Sequence, residues 1–144
     1  TKGNFNNHIG VPLTLLRLDE SHEFAVIEMG ANHLGEIAYT TSLSQPNVAT
    51  IVNAAASHLE GFGSLFGVAR AKSEVFKGLG SSGVAILNCD SQFFEFWQGK
   101  TSHLSLSNNL FDRLSRVILW KESLSPLRAL LAFLACQRLS FGRH

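Results

Sequence analysis

Apolar residues follow two different rhythms over the first hundred positions. FAVIEMG (24–30), VATIVNA (48–54) and GVAILN (83–88) are short, nearly continuous apolar runs. Runs of that length without polar alternation predict strands buried on both faces, as in a parallel sheet. The segments between them keep a helical spacing instead. GEIAYTTSL (35–43) has apolar positions at roughly that interval. In SLFGVARAKSEVFKGL (64–79), Leu65, Val68, Ala69, Val75, Phe76 and Leu79 share one face, with Gly80 at the C-terminal stop. DSQFFEFW (90–97) opens on Asp90, a good N-cap, and predicts a short helix. Strands alternating with helices imply an α/β fold, a mostly parallel sheet flanked by helices.

Both ends depart from this rhythm. GNFNNHI (3–9) is rich in Gly and Asn, which suit irregular backbone, and from Val11-Pro12 a helix is predicted with proline in its first turn. Beyond residue 100 the alternation stops. Only Gly142 of the 12 glycines lies there, and Leu, Ser and Arg make up 23 of the last 44 residues. LFDRLSRVILW (110–120) and PLRALLAFLACQRL (126–139) read as amphipathic helices, an atypical helical tail. The division expected is 1–107 and 108–144.

Composition narrows the possible functions. At 144 residues the chain fits one domain, and 45% hydrophobic content is enough for a core. A net charge of +1 gives no basic surface for nucleic acid. Cys89 and Cys136 are isolated, which suits a reducing cytoplasm. No apolar run approaches the ~20 residues of a membrane span, and TKGNFNNHIG is not a signal peptide. The absence of an initiator Met suggests a start inside a longer protein.

In parallel α/β sheets, ligands bind beyond the carboxyl ends of strands. Glu28 closes the first apolar run, His58 follows the second, and Asn88 and Asp90 follow the third. A carboxylate and an imidazole converging there could hold a divalent cation, magnesium if oxygen ligands dominate. Each residue also has a plainer reading. On that reading Glu28 marks where a strand surfaces, His58 is a hydrogen-bonded structural residue, Glu60 a loop carboxylate, and Lys72 a solvated helix lysine. Asn88 and Asp90 suit a turn and an N-cap. No GxxxxGK[ST] phosphate loop occurs.

The wording is more specific than the spacing. TKGNFNNHIGVPLTLL, AVIEMGANHLGEI, AAASHLEGFGSLFGVARAKSEVF and AILNCD, in that order, resemble the Mur ligases over about residues 1–100. The HLEGFGS and GNFNN words favour the member type that joins D-alanyl-D-alanine to UDP-N-acetylmuramoyl-tripeptide in peptidoglycan synthesis. The resemblance implies a central ATP-binding domain and a cytoplasmic, ATP- and Mg2+-dependent reaction, in which an acyl phosphate is formed and then attacked by an amine. It implies that Glu28 binds magnesium between the ATP phosphates. It gives His58 a second magnesium and makes Lys72 a carbamylated lysine beside the metals, both counted as catalytic. Asn4, Asn6 and Asn7 fall in a substrate- and phosphate-facing loop, and Asn88 and Asp90 match a further family word.

The family's phosphate loop is expected before Thr1, and its outer domains lie outside this sequence, so the isolated chain is expected to be inactive. GRH (142–144) looks like a family word returning after a divergent stretch. Leu, Ser and Arg each have six codons, so out-of-frame translation would enrich them. A frame error and a genuine helical divergence both account for 108–140. Readings from other classes are a non-catalytic α/β interaction module, an inactive remnant, and a magnesium-dependent phosphotransferase or hydrolase.

Overall fold

The computed structural model describes residues 1, 3–55 and 59–104, with backbone alone for 59, 106–107 and 117–120. The chain divides into two compact units. The first comprises Thr1–Pro46 and Ala54–Gly80, and the second comprises 47–53 and the described residues from 81 onward.

The first unit is helical. Helix α1 (Gly10–Leu15) carries Pro12 in its first turn, as predicted, where a missing N–H breaks no helix bond. Helix α2 (Glu36–Ser44) starts from Gly35, whose φ of 92° is a left-handed conformation that glycine adopts without strain. Helices α3 (Leu59–Phe62) and α4 (Leu65–Lys72) follow, and Ser64 caps α4 by accepting the Gly67 N–H at 3.0 Å. At Ser73 the helix tightens into a 3-10 helix, Ser73–Gly78, which packs on α2. Gly78 allows the close approach there, because a Cβ would run into the Thr41 methyl. Val11, Ile37, Val68, Ala69, Ala71 and Phe76 form the buried apolar interior.

The second unit holds a four-stranded parallel sheet in the order β1-β2-β4-β3, with β1 Val48–Thr50, β2 Val84–Asn88, β3 Leu106–Ser107 and β4 Val117–Trp120. Every position of β2 is buried, as its unbroken apolar run predicts. Helix α5 (Phe94–Lys100) packs on β2 and buries Trp97 completely, with the Phe93 ring 5.9 Å away.

Three expectations are corrected. Residues 24–30 join no strand ladder. Their backbone partners are irregular chain: the Glu28 N–H donates to Thr1 Oγ1 at 2.8 Å and the Gly30 N–H to the Asn6 carbonyl at 2.7 Å. Phe24 and Val26 consequently stay exposed, at 56% and 61%. VILW (117–120), predicted within a helix, is strand β4, where β-branched and aromatic residues are at home. The remainder of the predicted tail helices lies outside the described residues. Asp90 does not cap α5, which begins four residues later at Phe94.

Candidate active-site pocket

Asn6, Glu28 and Lys72 meet around one open pocket of about 200 Å3 in the first unit. Its other walls are Met29, Gly30, Ala31, Ile37, Phe62, Val68 and Ala71. An amide, a carboxylate and an amine thus share one recess with apolar side chains and the Gly30 backbone.

The Asn-rich opening builds one side. Asn7 Oδ1 accepts the N–H groups of Ile9 at 3.1 Å and Gly10 at 2.8 Å, which starts α1. Asn6 faces the pocket instead. Its Nδ2 donates to Glu28 Oε1 at 2.9 Å, while its main-chain carbonyl holds Gly30. Asn6 thus ties the Glu28 segment down through both side chain and backbone. A side chain at Gly30 would press on the Asn6 amide at 3.2 Å. Asn4 takes part only through its carbonyl, which accepts the Asn6 N–H at 2.8 Å, and its side chain is exposed.

Lys72 ends α4 half-buried, so it is not an ordinary solvated helix lysine. Burial pushes its ammonium below the usual 10.5, and the Glu28 carboxylate opposes the shift in part. An amine so placed gives up its proton more readily than a surface lysine does.

Two further carboxylates hold the walls. Glu36 Oε2 accepts the Asn32 N–H at 2.8 Å, and Glu36 Oε1 lies 3.3 Å from His33 Nδ1 and 4.0 Å from His8 Nδ1. The Asn32 bond leads in holding the Glu36 carboxyl below 4.5, against a smaller opposing effect of burial. Glu74 is buried, and its partners are main-chain N–H groups of Gly35 and Ala38. Gly61 meets the same loop, since a Cβ there would run into the Asn32 carbonyl oxygen.

Not every predicted site residue joins this pocket. Asn88 and Asp90 belong to the second unit, where buried Asn88 accepts the Asp90 N–H on Oδ1 at 2.9 Å, a turn closure. His58 lies outside the described residues. Glu60 is exposed. Among the described residues no group of three His, Cys, Asp or Glu side chains is arranged to hold a metal. Sequence reasoning missed Glu36 and Glu74 as structural anchors and gave Asn6 no individual role. The spacing of Glu36 one residue after Gly35, at a helix start, is the signal that was available for the first.

The sequence and fold belong to a known class. Residues 1–122 match the family model of the Mur ligase middle domain, and the chain belongs to the Mur ligase family. It is 61% identical over 103 residues to the UDP-N-acetylmuramoyl-tripeptide–D-alanyl-D-alanine ligase of Haemophilus influenzae, which is 72% of this chain and 22% of that relative. To the ligase of the same name from Escherichia coli K12 it is 59% identical over 98 residues, 68% of this chain and 22% of the relative. A crystal structure of MurF from Acinetobacter baumannii superposes with a TM-score of 0.71 at 37% identity, covering 84% of this chain and 24% of that one. The chain thus spans less than a quarter of the length of these relatives.

Proposed function

We propose that this chain supplies part of the catalytic centre of a ligase that uses ATP to join D-alanyl-D-alanine to UDP-N-acetylmuramoyl-tripeptide in the cytoplasm. The observation that carries the reading is the convergence of Asn6, Glu28 and a half-buried Lys72 on one pocket, in a chain 61% identical to a ligase of that name. The donor chemistry suits Mg2+: Glu28 offers carboxylate oxygen, and magnesium prefers oxygen to nitrogen or sulfur. When bound, Mg2+ would neutralise phosphate charge during transfer to the tripeptide carboxylate.

The chain's own residues do the positioning. Asn6 orients the Glu28 carboxylate by occupying Oε1. Lys72, with its proton held less tightly, is suited to adding CO2: the neutral amine attacks, a C–N bond forms, a proton leaves, and an anionic carbamate replaces the cation. That anion would attract a metal where the ammonium repels it. His58 is proposed as a further metal ligand. Asn4 and Asn7 are proposed on the phosphate-facing loop, with Asn7 acting by starting α1. Asn88 and Asp90 are proposed as contributing through a turn.

We also propose a frame error within 108–140 as the source of its Leu-, Ser- and Arg-rich composition; the family match reaches residue 122, which leaves the stretch beyond it for the error. Reading the coding DNA tests this. Family-like strands ahead of GRH in another frame support a frame error, and their absence contradicts it.

The function is tested in the full-length protein carrying this chain, with ATP, UDP-N-acetylmuramoyl-tripeptide and D-alanyl-D-alanine. The expected result is ADP release requiring both substrates, with the amide product seen by mass spectrometry. ATP hydrolysis without amide product would overturn the ligase reading in favour of a phosphohydrolase.

A further inference from the structure

Glu74 is the only ionisable side chain among the buried polar groups of the described residues. Burying a carboxylate is costly unless its oxygens are satisfied. Here the Gly35 N–H donates to Oε1 at 2.9 Å and to Oε2 at 3.0 Å, and the Ala38 N–H donates to Oε2 at 3.1 Å. These donors stand at the start of α2, where backbone dipoles favour an anion. Glu74 itself lies two residues beyond Lys72, in the 3-10 helix that continues α4. The segment it grips ends the loop running from Glu28 through Gly30 and Asn32, and Ile37 within it lines the pocket. One side chain therefore connects the helix that presents Lys72 to the segment that presents Glu28.

We propose that Glu74 is a positioning residue that fixes Lys72 opposite Glu28. The functional part of this inference rests on the carbamylated-lysine reading above. A cap serving α2 alone could come from a residue next to that helix. Glu74 reaches it from 36 to 39 residues away in sequence, so its bonds also set the spacing between two segments. The Gly35 φ of 92° aims that N–H at the carboxylate and leaves the position to glycine.

The test compares Glu74→Ala, Glu74→Gln and a stability control, Leu79→Ala, in the full-length protein. Leu79 is a buried residue of the same unit that does not line the pocket. One readout is the lysine carbamate signal by 13C NMR in 13C-bicarbonate. The other is the rate of Lys72 acylation by acetic anhydride, mapped by peptide mass spectrometry, which needs no functional assumption. In Glu74→Ala the carbamate signal is expected to fall about tenfold and Lys72 acylation to change by a similar factor, as for other supporting residues. Glu74→Gln keeps an acceptor oxygen and is expected to restore most of both. Leu79→Ala is expected to lower stability and leave both near the parent values. Parent-like carbamate and acylation in a folded Glu74→Ala protein would overturn the positioning role; should the alanine variant not fold, loss of both readouts in folded Glu74→Gln, or an equal change of both in folded Leu79→Ala, would overturn it. Absence of carbamate in the parent would overturn the lysine reading alone, and the acylation rates would still decide the role of Glu74.

Discussion

Burial takes water from the Lys72 ammonium, and the Glu28 carboxylate restores only part of the loss. Because the folded-state value lies below 10.5, the folded protein holds this proton less tightly than the unfolded chain does. The resulting penalty is full below the folded value and fades as pH rises toward 10.5. Lys72→Met is therefore expected to raise the melting temperature at neutral pH, by roughly 1–4 °C, while removing ligase activity. A lower melting temperature would show that the lysine is better solvated than its place in the pocket indicates. Glu36 has the opposite sign. Its carboxyl is held below 4.5, so its contribution is complete above that pH and is lost as pH falls through the lower folded value. Urea titrations from about pH 6 to about pH 3 should show a loss of stability that Glu36→Gln makes shallower. The residues of the pocket were legible in sequence to different degrees. Glu28 and Lys72 stand in family words with a role attached, whereas Glu74, in the same word as Lys72, was given none. The α-helical face drawn through Val75 and Leu79 assumes 3.6 residues per turn, and the 3-10 turn from Ser73 changes that phase and brings Ser73 and Glu74 inside.

At the scale of elements, α2, α4 and β2 lie close to where periodicity puts them. The failures have one physical origin, since a short apolar run states that a segment is hydrophobic but not what it pairs with. FAVIEMG has the composition of β2, yet irregular chain from residues 1–6 supplies its hydrogen bonds. VILW pairs in register with β2, Ile86 opposite Ile118, although helical spacing could be traced through it. Close contacts between elements are harder still to read. Nothing in EGFG marks Gly61 as the point where α3 meets the Asn32 loop, and that contact is expected to be intolerant of a methyl group. Gly61→Ala should lower unfolding free energy by about 1–3 kcal/mol in urea. Trp97→Ala, which removes the largest fully buried side chain of α5, should lower it by about 3–5 kcal/mol. A change below about 0.5 kcal/mol at either position would contradict the packing described.

At the largest scale, residues 1–122 match the family's middle domain, and the chain covers 22% of each of the two ligases compared above. Its alternation of helices and apolar runs was enough for the α/β class, and its motifs were enough for the family. The allocation of site residues to two units was not legible, because polar residues after successive apolar runs look equivalent until the strands are paired. Glu28, which follows a run that forms no strand, has joined Lys72 and Asn6, and Asn88 has turned back onto its own backbone. Among the described residues no helix is long and apolar enough to cross a membrane. The central claim is that the Glu28 pocket belongs to a reaction centre. It is tested most directly by the rate of ATP-dependent amide formation in the full-length protein carrying Glu28→Ala. A fall of more than about a hundredfold, with the folded state intact, is the expected result for loss of a metal-binding carboxylate. A rate within about twofold of the parent would contradict the claim.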